Sequence, residues 1–199
     1  MDITANGHGG PATRPSPIIV AHHDGQARPT RPDAGAARRA WPRPSAGGAA
    51  LSGPPAPHQI IAAYRPLGAE ADPALWVEAA LHAGATIALP HVTDRASPIR
   101  FLTWADGEDL NVGAFGLHQP APDAPECRPD IILTPLVGFD RRGNRLGQGA
   151  GHYDRAFAAN PDAWRVGIAW SVQEVEELVP DSWDVPLHAI ATESEWIVP

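Results

Sequence analysis

The chain contains no lysine, since all 15 of its basic residues are arginine. No lysine can therefore clamp a phosphate or form a Schiff base. Cysteine is nearly as scarce: Cys127 is the only one, which excludes an intrachain disulfide and fits a reducing cytoplasm. It lies in a proline-rich loop with no base paired to it, and reads as an inert thiol. No apolar run approaches the length that crosses a membrane. The start, Met1-Asp-Ile-Thr-Ala5, lacks the cationic region and apolar stretch of a secretory signal. A cytoplasmic protein with no membrane partner is the expectation. Positive charge is also short where the sequence looks folded: residues 58–199 hold nine Arg against twenty acids. That balance argues against nucleic acid as the main partner.

At 199 residues the chain suits one domain with a substantial core. Residues 1–57 carry ten Pro, eight Gly and no Glu, with one short apolar run at Pro17–Ala21. Such a segment buries too little apolar surface to offset chain ordering, and is expected to be mostly disordered or divergent. A turn of helix at Ala36–Trp41 would end at Pro42. The folded domain is expected over 58–199. There, His58–Tyr64, Ile87–Leu89 (stopped by Pro90), Ile99–Trp104, Asp130–Leu133, Trp164–Trp170, Ala189–Thr192 and Glu195–Val198 read as strands. Pro73–Ala83 reads as a helix, with Asp72 as N-cap, Pro73 in the first turn and Gly84 closing it. Further helices are predicted at His152–Ala159 and Val172–Leu178. Strands alternating with helices predict a single α/β domain in three layers, its largely parallel or mixed sheet flanked by helices.

The stretch Arg145-Leu146-Gly147-Gln148-Gly149-Ala150-Gly151-His152-Tyr153-Asp154 carries the chemistry. Alternating glycines allow positive φ and close backbone approach to a ligand. A loop feeding a helix start offers free N–H groups and the positive dipole end to an anion. Arg145 before it and Asp154 after it add a cation and a metal-binding carboxylate. The pattern is neither the Walker sequence nor G-x-G-x-x-G, and Gly-x-Gly-x-Gly alone fits an ordinary structural loop equally well. Likewise Asp154 could charge-balance the helix start, and Arg155 reads as a surface or salt-bridge residue. His152 reads by default as an exposed loop histidine. His82, His91 and His118 lack ligand spacing and read as surface residues, while Trp76, Trp164 and Trp170 read as core.

With Pro135, Phe139, Asp140 and Gly143 ahead of it, the same string resembles the 5-formyltetrahydrofolate cyclo-ligase family. Tyr64-Arg65-Pro-Leu-Gly-Ala-Glu70, Leu89-Pro90, Phe115-Gly116 with Pro120, Gly167-Ile-Ala, Gln173, Asp184 and Thr192-Glu193 extend the likeness over about residues 58–195. It implies an ATP- and Mg²⁺-dependent ligase that phosphorylates the formyl oxygen of 5-formyltetrahydrofolate and closes the ring to 5,10-methenyltetrahydrofolate. On that likeness Arg145 and the loop through Tyr153 would hold ATP, and Arg145 and Tyr153 would serve catalysis. Tyr64, Arg65 and Glu70 would contact the reduced folate, and Asp154 would hold Mg²⁺. A monomer is expected. The sequence departs from the family twice: no basic amphipathic helix opens the chain, and His188 stands where a second metal-associated Asp is common. The alternative reading is therefore a catalytically impaired nucleotide- or folate-binding paralogue of the same fold.

Overall fold

The computed structural model describes residues 55–199. Almost all of segment 1–57, including the helical turn read at Ala36–Trp41, lies outside the described residues. In chain order the elements are β1 (Ile60–Ala62), α1 (Ala74–His82), β2 (Thr86–His91), β3 (Arg100–Thr103), β4 (Asn111–Val112), β5 (His118–Gln119), β6 (Ile131–Pro135), β7 (Gly138–Phe139), β8 (Arg145–Leu146), α2 (His152–Ala159), β9 (Trp164–Ile168), β10 (Ala189–Ala191) and β11 (Trp196–Ile197). Seven strands make one sheet in the order β11-β10-β9-β6-β1-β2-β3, with β4–β5 and β7–β8 as separate two-stranded ribbons. The five central strands run parallel, and β3 and β11 join antiparallel at the edges.

Alternation along the central strands gives each sheet face its own core. Ile61, Ile87, Leu89, Ile131, Leu133 and Val166 gather on one face with Trp76, Ala79 and Ala80 of α1. Ala62, Ala88, Ile132 and Ile190 gather on the other with Ala156 and Phe157 of α2. The α/β architecture is thus as predicted, with α1 and α2 on opposite faces. Helix α1 closes as its sequence suggests: Gly84, at φ +80°, donates to Leu81 O at 3.0 Å, and Ala85 N–H reaches Ala80 O at 3.0 Å. That pair of bonds is a Schellman motif, and its left-handed position favours glycine. Pro73 takes the N-cap position itself, with Asp72 one step earlier still accepting Ala74 N–H at 2.9 Å.

Two predicted elements differ. Pro90 does not stop β2, which continues to His91. The backbone of Thr86 and Ala88 bonds toward β1, so Pro90, two residues on, turns its missing N–H to the side where β1 has already ended. Its ladder to β3 is intact, with Pro90 opposite Phe101. A proline is tolerated in a strand on such an unpaired side. The predicted helix Val172–Leu178 shrinks to a single 3-10 turn at Ser171–Gln173. Tertiary partners claim its backbone: Val175 N–H donates to Phe139 O at 2.8 Å and Leu178 N–H to Asp140 Oδ2 at 3.0 Å.

Candidate functional site

The chain leaves β1 for β2 and β3 on one side of the sheet, and leaves β6 for β9 and β10 on the other. The direction of winding therefore reverses between neighbours β1 and β6. In an open α/β sheet such a switch point leaves a crevice beyond the carboxyl ends of the strands, because the two following connections part to opposite faces. Segment 64–71 follows β1 into α1. The β7–β8 ribbon and the glycine loop follow β6 into α2. The two segments singled out from sequence thus flank one crevice.

The turn of the β7–β8 ribbon is fixed by Asp140, a fully buried carboxylate. Its Oδ1 accepts Arg142 N–H and Asn144 N–H, each at 3.0 Å. Its Oδ2 accepts Asn144 Nδ2 at 2.8 Å and Leu178 N–H at 3.0 Å. Burial alone would raise its pKa, but these donors outweigh it and hold the carboxyl below its ordinary range. Arg145, which follows Asn144 out of the turn, is therefore presented from a rigid support. Its side chain is 8% exposed and its guanidinium donates to Asp154 Oδ1 and to Val185 O, with Cζ 4.7 Å from the centre of the Phe157 ring. Asp154 Oδ1 also takes Val185 N–H at 3.5 Å, and among the described residues Oδ2 has no donor.

Gly149 and Gly151 adopt φ of +79° and +63°, whereas Gly147 does not need positive φ. A Cβ at Gly147 or Gly149 would meet nothing within 4 Å, so the loop's outer side is open to a ligand. Gly151 is the N-cap of α2 and no side chain caps that helix, leaving its first N–H groups available to an anion. Asp154 lies in the first turn, two positions beyond the residue that begins the helix. Leu146 is exposed on the ribbon. Arg155 ties the loop down by donating to Ala150 O at 3.0 Å and Arg95 O at 2.9 Å, and its Nη2 lies 3.2 Å from His152 Nδ1. Burial, then the neighbouring Arg155, pushes the His152 pKa down.

Across the crevice, Glu70 Oε2 accepts Leu67 N–H at 2.9 Å and Oε1 accepts Gln148 Nε2 at 3.1 Å. Burial pushes the Glu70 pKa up, partly offset by those two donors. Tyr153 has its pKa raised by burial and then by the Glu70 charge, with Arg145 acting in the opposite direction. Tyr64, also raised mainly by burial, senses both Tyr153 and Glu70. Tyr64 is buried and donates its hydroxyl to Ala71 O at 2.5 Å, closing the 64–71 loop on itself. Arg65 stacks over Trp104, Cζ 4.6 Å from the ring centre. The geometry thus brings Glu70, Gln148, Tyr153, Arg145 and Asp154 into one neighbourhood. Tyr64 lines it as a buried support, and Arg65 is spent on Trp104.

Several positions read differently in three dimensions. Trp170 is not core: it is 37% exposed and donates Nε1 to Ala69 O at 3.0 Å, pinning the same loop from the end of β9. His91 is buried, with Nδ1 unpartnered among the described residues. Arg165 escaped notice in the sequence. Its N–H donates to His188 Nδ1 at 3.1 Å, its Nη2 lies 2.7 Å from His188 Nε2, and its Nε donates to Pro186 O at 2.9 Å. His188 also stacks on Trp164. Its pKa is pushed down by burial and then by Arg165, and a neutral imidazole accepts at one ring nitrogen only, so just one of these two contacts to Arg165 is a hydrogen bond. Cys127 is half-buried with its thiol pKa raised, first by burial and then by Glu126.

No group of three or more potential metal ligands occurs among the described residues. Mg²⁺ does not require one, because it is held by one or two carboxylates together with water and substrate phosphate. Asp154, whose Oδ2 takes no donor from the described residues, fits that pattern as a single-carboxylate site. A separate open groove is lined by Ile87, Thr103, Trp104, Glu108 and Asp123 among others. It has acids and no cation in its wall, which suits it poorly to phosphate, and none of the expected site residues lines it. No helix among the described residues is long and apolar enough to cross a membrane.

The sequence pattern of the 5-formyltetrahydrofolate cyclo-ligase family matches residues 56–193. The 5-formyltetrahydrofolate cyclo-ligase of Escherichia coli (strain K12) is 33% identical over 150 residues, covering 68% of this chain and 80% of that protein. The enzyme of the same name from Mycolicibacterium smegmatis is 29% identical over 157 residues, covering 74% and 80%. The solution structure of Aquifex aeolicus 5,10-methenyltetrahydrofolate synthetase superposes with a TM-score of 0.59 at 30% identity, covering 71% of this chain and 72% of that one. The 5,10-methenyltetrahydrofolate synthetase of Mycoplasma pneumoniae gives 0.52 at 26% identity, covering 67% and 73%.

Proposed function

The chain belongs to the 5-formyltetrahydrofolate cyclo-ligase family, and from that membership we propose that it converts 5-formyltetrahydrofolate to 5,10-methenyltetrahydrofolate, turning ATP into ADP and phosphate. The observation that carries the reading to these residues is the topological switch point between β1 and β6, flanked by a glycine loop with an open outer side and by the half-buried carboxylate Glu70. In the reaction the γ-phosphoryl group moves to the formyl oxygen. N10 of the folate then bonds to the activated carbon, and that oxygen leaves with the phosphate as the ring closes to the methenyl product.

Little covalent chemistry falls to the protein in phosphoryl transfer; it positions the reactants and stabilises developing charge. Backbone N–H groups of the loop and of the α2 start would hold the phosphate oxygens. Arg145 would turn part of its donor fork to them, since a guanidinium carries five donors and can keep Val185 O while doing so. Asp154 would hold Mg²⁺ through Oδ2, and the ion would supply charge neutralisation at the phosphates. Glu70 would accept N–H groups of the reduced folate, and Tyr153, kept protonated by its raised pKa, would donate a hydrogen bond near the reacting formyl group. Tyr64 would shape that wall from beneath, while Arg65 would reach the folate by leaving Trp104. A cytoplasmic monomer without a nucleic-acid partner completes the proposal.

The test is direct. Mixing the full chain with 5-formyltetrahydrofolate, ATP and Mg²⁺ should produce the ultraviolet absorption of the methenyl product, and its absence from a folded sample rejects the activity. One observation favours a second reading, a binding protein without turnover: Arg145 and Asp154 are already paired with each other. Calorimetry showing nucleotide and folate binding with no product would decide for it.

A further inference from the structure

We propose that Gln148 is a positioning residue, which orients Glu70 across the crevice and so sets the folate wall together with the phosphate loop. The proposal rests on the reading that Glu70 contacts the folate. Within the loop 147–151, Gln148 is the only residue with a side chain longer than a methyl group. That side chain crosses 78 positions of sequence to place Nε2 3.1 Å from Glu70 Oε1. The other carboxylate oxygen takes Leu67 N–H at 2.9 Å. One donor on each oxygen fixes the plane of the carboxylate. Each oxygen keeps a further acceptor direction for a ligand N–H, so the two bonds orient Glu70 without exhausting it.

The backbone beside Glu70 is held independently. Trp170 donates to Ala69 O at 3.0 Å, Glu70 N–H donates to Leu67 O at 3.1 Å, and Tyr64 closes the loop through Ala71 O. Loss of Gln148 would therefore leave segment 64–71 in place and free only the Glu70 side chain. A residue serving the glycine loop alone would act on the nucleotide; one serving Glu70 would act on the folate.

Calorimetric titration of the full chain with 5-formyltetrahydrofolate and, separately, with Mg²⁺-ADP distinguishes these roles. Gln148→Ala should weaken 5-formyltetrahydrofolate binding about tenfold, the low end for loss of one hydrogen bond to a charged group, and leave Mg²⁺-ADP binding unchanged. Adding Gln148→Ala to Glu70→Ala should weaken folate binding no further, since its target is gone. A defect confined to Mg²⁺-ADP, or an equal additional loss in the double variant, overturns the proposal. Weak folate binding in Glu70→Ala with normal binding in Gln148→Ala overturns it while sparing the folate reading. Normal folate binding in Glu70→Ala overturns both.

Discussion

Replacing Asp140 should show how far the site depends on one buried turn. The carboxylate is fully buried and accepts four hydrogen bonds, two at each oxygen. Each is a bond to a charged acceptor and worth about 1.5 kcal/mol net at the low end, so Asp140→Ala should cost about 6 kcal/mol. Asp140→Asn keeps the oxygen facing Arg142 and Asn144 N–H, but sets an amide against Asn144 Nδ2 and Leu178 N–H. It should cost about 3 kcal/mol by the same accounting. Urea denaturation curves at neutral pH measure both. The acid limb gives a second readout. Because the folded pKa of Asp140 is depressed, its contribution is full above the unfolded value of about 3.9 and is lost as pH falls through the lower folded value. Asp140→Asn should lack that part of the acid loss. An asparagine variant as stable as the parent chain, or alanine and asparagine variants of equal stability, would refute the reasoning.

Arg145→Ala and Asp154→Asn should each lower turnover by about 100-fold, the scale for removing one charge-stabilising group, with circular dichroism unchanged. Because the two side chains share an ion pair, the double variant should lose less than the product of the single losses. Gly151→Ala forces a Cβ into a left-handed position 3.2 Å from Arg155 Nη1. It should cost about 1–2 kcal/mol in thermal unfolding and weaken nucleotide binding more than folate binding. Chelation with EDTA should abolish turnover and added Mg²⁺ restore it; turnover that survives chelation would remove Asp154 from its role.

Long periodic or strongly apolar segments were legible in the sequence. Helix α2 has the predicted bounds, and the order of the seven sheet strands along the chain follows the apolar runs. The ribbons β4–β5 and β7–β8 were not legible, since two-residue strands carry no readable alternation. Pro90 misled because its tolerance depends on where β1 ends, which is a tertiary fact. Val172–Leu178 misled because local propensity was overridden by bonds to Phe139 and Asp140. Of the candidate site, the glycine loop, Arg145, Asp154 and Glu70 could be named from motif and resemblance. Their meeting at a switch point, the Gln148–Glu70 bond, the diversion of Arg65 to Trp104 and the Arg165–His188 pair all depend on residues far apart in sequence.

Activation of the formyl oxygen by phosphorylation is tested most directly by the fate of that oxygen. With 5-formyltetrahydrofolate labelled with ¹⁸O in the formyl group, ATP and Mg²⁺, mass spectrometry of the released phosphate should find one ¹⁸O per methenyl product formed. Unlabelled phosphate accompanying methenyl product would contradict that activation.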